Sequence, residues 1–166
     1  MSKESVIKQL KRLYHDINED ALYSKKEAIF NVTNKSNFAM TEIEEPNGRM
    51  SFEQLVRNLY IILYEASGDA KRLPLTIDES GIIQKIKDLR NNFLHDQEQG
   101  EAKKIRKKIE NINEIYKFLI EKSFPTNDDD WVHAGYNLIE KTIIPQRIKA
   151  VFSNPSNRKT GFFQSF

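Results

Sequence analysis

Apolar residues recur at intervals of three and four along most of this chain, which is the spacing of one face of an α-helix. Five such stripes are visible, and they begin at Val6, Phe52, Ile82, Ile105 and Trp131. Strict alternation of apolar and polar residues, which is the pattern of a half-buried strand, is missing outside residues 31–50. Five amphipathic helices bury their stripes most simply against one another, so the pattern predicts an all-α bundle.

Turn and capping residues mark the expected helix bounds in the first half of the chain. The first helix is expected over roughly residues 3–23. Residues 31–50 are rich in Asn, Thr, Ser and Glu and contain the turn sequence Pro46-Asn47-Gly48, so they predict a long loop with room for a short hairpin. The capping-box sequence Ser51-x-x-Gln54 is then expected to begin the second helix.

Three further helices are expected in the second half. The capping-box sequence Thr76-x-x-Glu79 precedes the third, and Gly100 separates the third from the fourth. Phe124-Pro125 is expected to end the fourth helix. The sequence Asn127-Asp128-Asp129-Asp130 is expected to begin the fifth, since carboxylates suit the positive end of a helix, and this explains the aspartates better than a metal site does. Pro145 either kinks that helix or begins a new turn.

The length and composition fit a single helical domain over residues 1–152, followed by an irregular tail over residues 153–166. No apolar run approaches the roughly 18 residues that span a bilayer, and the first residues lack the apolar segment of a signal peptide. The chain has no cysteine, which removes disulfides and thiolate chemistry. These features predict a cytoplasmic protein without membrane contact. The net charge of +2 means that any nucleic-acid contact has to rest on a local basic patch.

The third stripe ends in two residues with complementary chemistry, Arg90 and His95, and an amide, Asn91, follows the arginine directly. Arginine is a permanent, planar cation whose N–H donors suit a phosphate, and histidine exchanges protons near neutral pH. On an ideal helix, residues five apart lie about 140° apart, so Arg90 and His95 do not share a face, whereas Asn91 and His95 do. Either the helix ends near Leu94, or a second chain completes the site.

The segment Asp88-Leu89-Arg90-Asn91-Asn92-Phe93-Leu94-His95-Asp96 resembles the Arg-x4–6-His motif of the HEPN superfamily, in which a polar residue often follows the arginine. The similarity extends more loosely, as a helix pattern, over residues 51–122. It implies an all-α, HEPN-like bundle of four to five amphipathic helices. It also implies a homodimer in which two motifs face each other across a two-fold axis.

The resemblance further implies a metal-independent endoribonuclease that needs no cofactor. In that reaction His95 exchanges protons with the 2′-hydroxyl or the leaving 5′-oxygen, Arg90 stabilises the phosphorane-like transition state, and Asn91 orients His95 or binds phosphate. RNA is the implied partner, because DNA lacks the attacking 2′-hydroxyl. Proteins of this kind serve in toxin–antitoxin pairs, abortive infection and other antiviral defence, which implies an antitoxin or another defence protein as a further partner.

A basic run lies immediately downstream of the motif. It comprises Lys103, Lys104, Arg106, Lys107 and Lys108. Such a run can follow an RNA backbone into a cleft. The alternative is a solvated helix face, because these residues surround Ile105 and Ile109.

Non-catalytic functions remain open alternatives at this point. Many HEPN domains bind nucleotides, RNA or partner proteins without cleaving, and the near-neutral charge favours such a binding module. The intact pair of Arg90 and His95 favours catalysis instead. A purely structural dimerisation domain would leave the basic run without a purpose.

Aromatic and histidine residues outside the motif have more ordinary interpretations. Tyr60 and Tyr64 either stack nucleobases or pack in the core, and their apolar neighbours favour packing. Trp131 is expected in the core or at an interface. His15 and His133 lie in amphipathic stretches and are expected in structural or surface positions.

Overall fold

The computed structural model describes residues 5–25, 33–65, 81–94 and 102–153 of the chain. Within these ranges the chain forms six α-helices, which are α1 (Val6–Lys25), α2 (Asn34–Thr41), α3 (Arg49–Tyr60), α4 (Ile82–Leu94), α5 (Ala102–Ile120) and α6 (Asp128–Ser153). A π-helical turn, Ile61–Glu65, continues α3 directly. The described ranges contain no strand, which confirms the all-α class. None of their helices is both long and apolar enough to cross a bilayer.

The core is built from the apolar stripes that the sequence predicts for α3 and α4. In α3 and the π-helical turn, the buried residues include Phe52, Leu55, Leu59, Ile62 and Leu63. In α4 they are Ile82, Ile83, Ile86 and Leu89. α6 lies against α1, α3 and α5, and its Ala134, Leu138 and Ile139 are fully buried. α3, α4 and α6 thus each turn one apolar face to a shared interior, as the 3.6-residue period requires.

Aromatic rings fill the region where the second half of the bundle meets α3. The Phe52 ring packs edge-on against Phe93 with centroids 6.1 Å apart, and its centroid lies 5.4 Å from that of Trp131. Tyr116 makes a T-shaped contact with Trp131 at 5.7 Å. The Tyr116 hydroxyl is buried without a hydrogen-bond partner among the described residues, and burial raises the pKa of this phenol. Through Phe93, the last turn of α4 is fastened to this cluster.

The region expected to be a long loop contains α2, so that expectation is wrong for residues 34–41. Thr33 and Ser36 form a capping box: the Thr33 hydroxyl accepts from the Ser36 N–H at 3.1 Å, and the Ser36 hydroxyl accepts from the Thr33 N–H at 2.9 Å. The buried residues of α2 are Ser36 and Ala39, so the helix has no apolar stripe from which it could be predicted.

α3 begins at Arg49, two residues before the expected cap at Ser51. Gly48 occupies the N-cap position with a φ of 142°, a conformation that favours glycine. Ser51 lies inside the first turn, where its hydroxyl donates to the Gly48 carbonyl at 2.8 Å and accepts from the Asn47 N–H at 2.8 Å. The serine therefore stabilises the start of α3 from within the helix.

α5 ends at Ile120, before the expected Phe124-Pro125 break. Glu121 adopts a left-handed φ of 61° and donates its N–H to the Lys117 carbonyl at 2.9 Å, which closes the helix with an αL cap. Because this type of cap usually carries glycine, the glutamate offered no signal of the helix end.

α6 begins within the predicted acidic sequence and runs through Pro145 to Ser153 as one helix. The caps expected at Thr76-x-x-Glu79 and Gly100 lie outside the described residues. The tail expected after Ser153 also lies outside them.

A buried carboxylate organises the start of α6. Asp130 accepts hydrogen bonds from the Thr126 N–H at 2.9 Å and the Thr126 hydroxyl at 3.0 Å, and it forms an ion pair with Lys122 at 2.6 Å. Asn127 caps the helix, because its Oδ1 accepts from the Asp130 N–H at 2.9 Å. The hydrogen bond from Lys122, followed by those from Thr126, lowers the pKa of Asp130 to about 2.

Replacement of Asp130 by asparagine is expected to remove a pH-dependent part of the stability. The folded-state pKa of about 2 lies below the ordinary value of 3.8, so the carboxylate stabilises the fold well above pH 3.8, and this contribution declines as the pH falls towards 2. In urea unfolding, the wild type should be more stable than Asp130→Asn at about pH 6, and the difference should shrink towards about pH 2. Asp129→Asn, an exposed neighbour on the same turn, is the control. A difference independent of pH contradicts the assignment.

A close approach joins α6 to the segment before α3. A Cβ atom at Gly135 would lie 2.6 Å from Cγ and 2.7 Å from Cβ of Pro46, and both residues are buried. Contacts this short do not occur between carbon atoms, so the absence of a side chain at residue 135 is what lets α6 pack here.

Gly135→Ala is expected to lower the free energy of unfolding by about 1–3 kcal/mol, because the new methyl group overpacks the contact with Pro46. Without that contact the same change would raise helix stability by about 1 kcal/mol. The sign of the effect in urea unfolding therefore shows whether the contact with Pro46 outweighs the higher helix propensity of alanine. Pro46→Gly added to Gly135→Ala should recover part of the loss. A stabilised Gly135→Ala variant would show that the proline segment moves aside freely.

Candidate functional site

Arg90 lies in the last two turns of α4, half-buried at the edge of its buried face. Its Nη1 donates a hydrogen bond to Asn91 Oδ1 at 3.1 Å, and no other described residue is hydrogen-bonded to the guanidinium. A guanidinium carries five N–H donors, so the arrangement leaves donors for an anion. The Asn91 amide thus contacts Arg90, while its expected roles towards His95 or phosphate stay predictions.

Two stacked tyrosines support the guanidinium. Arg90 Cζ lies 4.8 Å from the ring centroid of Tyr60, and Tyr60 stacks on Tyr64 with centroids 5.0 Å apart and planes inclined by 17°. Lys87, one turn before Arg90, places its Nζ 4.9 Å from the Tyr64 centroid and donates to the Tyr64 hydroxyl at 3.4 Å. We call these four residues, Lys87, Tyr64, Tyr60 and Arg90, the tyrosine ladder.

The two rings lie across the junction of α3 and the π-helical turn. Tyr60 is the last residue of α3, and Tyr64 lies within the turn. π-helical turns are rare in proteins, and those that do occur are often found at functional sites. Tyr60 is 9% exposed, which confirms that it packs in the core, and Tyr64 is half-buried.

His95, the expected proton-transfer residue, lies outside the described residues, as does Asp96. α4 is described up to Leu94, the residue directly before the histidine. The expected proximity of His95 to Arg90 therefore stays a prediction.

Two contacts define how α5 runs beside α4. Asn111 Nδ2 on α5 donates to Asp88 Oδ2 on α4 at 2.9 Å. Lys85, earlier on α4, places its Nζ 4.9 Å from the ring centroid of Phe118, later on α5. An earlier residue of α4 thus contacts a later residue of α5, so the two helices are antiparallel. The first turns of α5 consequently lie beside the last turn of α4, at the same end of the bundle as Arg90.

The basic run occupies these first turns of α5. All of its members are exposed, and they are Lys103, Lys104, Arg106, Lys107 and Lys108. Exposure is common to a solvated helix face and to an RNA-binding patch. The structure also shows where the basic run lies: it is at the same end of the bundle as Arg90. Six cations on two helices thus lie at this end of the bundle, together with the carboxylates of Asp88 and Glu110.

Apolar side chains are also exposed at this end of the bundle. Leu94 is 45% exposed and Ile109 is 47% exposed. The apolar spacing that begins at Ile105 predicts Ile109 in the buried stripe of α5. This is wrong, because Ile109 is exposed and Ile112 is the first fully buried residue of the helix. The first half of α5 lies at the edge of the core, so its apolar side chains are less buried than those of the second half.

The remaining histidines lie at the surface, which is one of the two positions expected for them. His133 is exposed, and His15 is exposed with its Nε2 3.6 Å from Glu19. Trp131 is buried, as predicted. Asp88 accepts a hydrogen bond from Gln84 as well as from α5. Across residues 5–25, 33–65, 81–94 and 102–153, no group of three or more His, Asp or Glu side chains could hold a metal ion.

Sequence reading missed the tyrosine ladder as a unit. A signal was present, because Lys87 and Arg90 are three residues apart and Tyr60 and Tyr64 are four apart, so each pair shares a helix face. Which faces meet depends on the packing of α3 against α4, and a pattern within one helix does not carry that information.

No protein-family model matches this chain, and no curated protein and no solved structure matches it either. The function proposed for it therefore depends on its own residues, their geometry and the resemblance of residues 88–96 to the HEPN motif.

Proposed function

We propose that this chain is a metal-independent endoribonuclease of the HEPN type, which cleaves RNA by attack of the RNA's own 2′-hydroxyl. The observation that supports this most is the placement of Arg90, a phosphate-binding cation held by Tyr60 and Asn91 a few residues before a histidine. The basic run in the first turns of α5, at the same end of the bundle, is a second support. The similarity of residues 88–96 to the HEPN motif supplies the reaction.

In the proposed reaction His95 removes the proton of the 2′-hydroxyl, and the 2′-oxygen attacks the adjacent phosphorus. The bond from phosphorus to the 5′-oxygen breaks, and a protonated histidine gives a proton to that oxygen. Arg90 donates N–H groups to the non-bridging oxygens, where negative charge grows in the transition state. The products are a 2′,3′-cyclic phosphate and a 5′-hydroxyl.

The two proton transfers need two histidines if they are to act together, and each chain supplies one His95. A homodimer with its motifs facing across a two-fold axis provides the second. The exposed side chains of Leu94 and Ile109 support such an interface, because a second copy would cover them. The biological setting, a toxin–antitoxin pair or antiviral defence in the cytoplasm with an antitoxin or defence protein as partner, comes from the resemblance.

A second candidate function is a non-catalytic module that binds RNA, a nucleotide or a partner protein through the same surface. The net charge of +2 favours it, because a large nucleic-acid footprint usually carries more positive charge. The basic run concentrates five of the positive charges on one helix end, which suits a small footprint in either candidate. The two differ in one observable, the release of 2′,3′-cyclic phosphate ends.

Arg90→Ala and His95→Ala are each expected to lower RNA cleavage by about 10²–10⁴-fold, because one removes the cation at the phosphate and the other the acid–base group. Gel assays of end-labelled RNA measure this, with circular dichroism to check folding. Cleavage should also persist in EDTA, as the metal-independent reaction requires.

Arg12→Ala and His133→Ala are the matched controls, since they remove an exposed arginine of α1 and an exposed histidine of α6. Mixed dimers of Arg90→Ala and His95→Ala chains should regain part of the activity, because one arginine and one histidine survive in the shared cleft. Wild-type rates in purified His95→Ala protein would refute the catalytic assignment. Binding of RNA without cyclic phosphate ends would favour the non-catalytic module.

Replacement of Lys103, Lys104 and Lys107 by glutamate is expected to weaken RNA binding across sequences, because the variant neutralises fewer phosphates and releases fewer counterions. The slope of log affinity against log salt should flatten by about 0.7 for each phosphate of single-stranded RNA that the variant no longer neutralises. Cleavage at saturating RNA should change much less, since these lysines position the backbone.

The control for this change is a triple lysine-to-glutamate variant at Lys8, Lys35 and Lys117, which are exposed on other surfaces and give the same change in net charge. Equal weakening in both variants would mean that only total charge matters. Unchanged affinity in the first variant would identify the basic run as a solvated helix face.

A further inference from the structure

The tyrosine ladder places a cation against each end of a stacked ring pair, which core packing alone does not require. It begins at Lys87, passes through the two stacked rings and ends at Arg90, so a cation of α4 lies against each end of the stacked pair. We infer that Tyr60 is a positioning residue for Arg90, with Tyr64 and Lys87 as its backing. This inference rests on the proposed function and adds to it the means by which the arginine is held for its phosphate.

Arg90 needs such a support, because arginine has a long and flexible side chain that samples many rotamers in solution. The electron-rich face of a tyrosine ring attracts a guanidinium and orients its plane, while the N–H groups at the edge of that plane stay able to donate. Asn91 Oδ1 accepts from Nη1 at 3.1 Å and fixes the rotation of the guanidinium. The ring and the amide together determine the direction of the remaining donors.

Tyr60 can act in this way because its own side chain is buried and packed. Its side chain is 9% exposed and packs among the buried residues of α3, and its ring rests on that of Tyr64. Lys87 lies against Tyr64 and donates to its hydroxyl, which ties the far end of the stack back to α4. The ladder therefore fixes Arg90 relative to both α3 and α4.

The same geometry argues against nucleobase stacking on these rings. Arg90 and Tyr64 both lie against the Tyr60 ring, and Lys87 lies against the Tyr64 ring. A base could stack only if it displaced one of these groups. The rings therefore support Arg90, and in the proposed function Arg90 binds the phosphate.

A comparison of Tyr60→Leu with Tyr60→Phe tests whether the ring of Tyr60 positions Arg90. Leucine fills space without an aromatic face, so kcat for RNA cleavage should fall about 10-fold with a smaller change in KM, as expected for a displaced catalytic group. Phenylalanine keeps the face and should restore most of the rate. In an Arg90→Ala background, Tyr60→Leu should cause no further loss. Should Tyr60→Leu fail to fold, Tyr64→Leu tests the backing ring and should reduce kcat in the same direction.

Phe118→Leu is the matched control, because its ring also carries a lysine of α4, Lys85, but lies away from Arg90. It should leave kcat unchanged. Equal loss in Phe118→Leu, or an undiminished effect of Tyr60→Leu in the Arg90→Ala background, would overturn the positioning role.

A second measurement separates this inference from the proposed function. The NMR order parameter of the Arg90 Nε–H bond, assigned with Arg90→Lys, should be high in the wild type and Tyr60→Phe and low in Tyr60→Leu. If RNA is not cleaved but this pattern holds, Tyr60 positions Arg90 and the ribonuclease proposal alone fails. If the order parameter does not change in Tyr60→Leu, the inference fails whatever the RNA assay shows.

Discussion

The rotation of α4 about its own axis is the constraint on which the candidate site depends. Ile86 and Leu89 are fully buried, and successive residues of a helix lie about 100° apart. Burial of Leu89 therefore sends its two neighbours to opposite edges of the helix. Asp88 emerges beside α5, where it meets Asn111, and Arg90 emerges beside α3, where it meets Tyr60. One apolar stripe thus directs both the link that orients the basic helix and the cation at the centre of the site.

The aromatic cluster keeps the end of α4 in this orientation. Phe93 packs edge-on against Phe52, which in turn touches Tyr116 and Trp131. Such ring pairs contribute about 0.5–1.5 kcal/mol beyond the burial of their area. The cluster includes one buried hydroxyl, that of Tyr116, without a described partner. Ring packing across several helices therefore outweighs the loss of one hydrogen bond, which leaves the last turn of α4 well anchored although it borders the surface.

The sequence predicted those parts of the fold in which one helix carries its own apolar stripe. The stripes of α3 and α4 are buried as expected, because their period alone determines the inward face. It did not predict α2, which buries Ser36 and Ala39 and depends on a capping box for its start. It placed Ile109 in the core, because the period says which face is apolar and not how far a neighbouring helix extends to cover it. Similarly, Arg90 and Asn91 were found as neighbours in the chain, whereas the support by Tyr60 arises between helices.

The position of Trp131 has a practical consequence for spectroscopy. It is the single tryptophan of the chain, and its indole meets Phe52 of α3 and Tyr116 of α5 from the first turn of α6. Its emission therefore reports on the junction of three helices, free of signal from any other indole. The Arg49 guanidinium lies 5.7 Å from the indole centroid, so separation of α3 from α6 would change both the packing and the charge around the fluorophore. The natural sequence thus carries its own optical probe of whether the bundle is assembled.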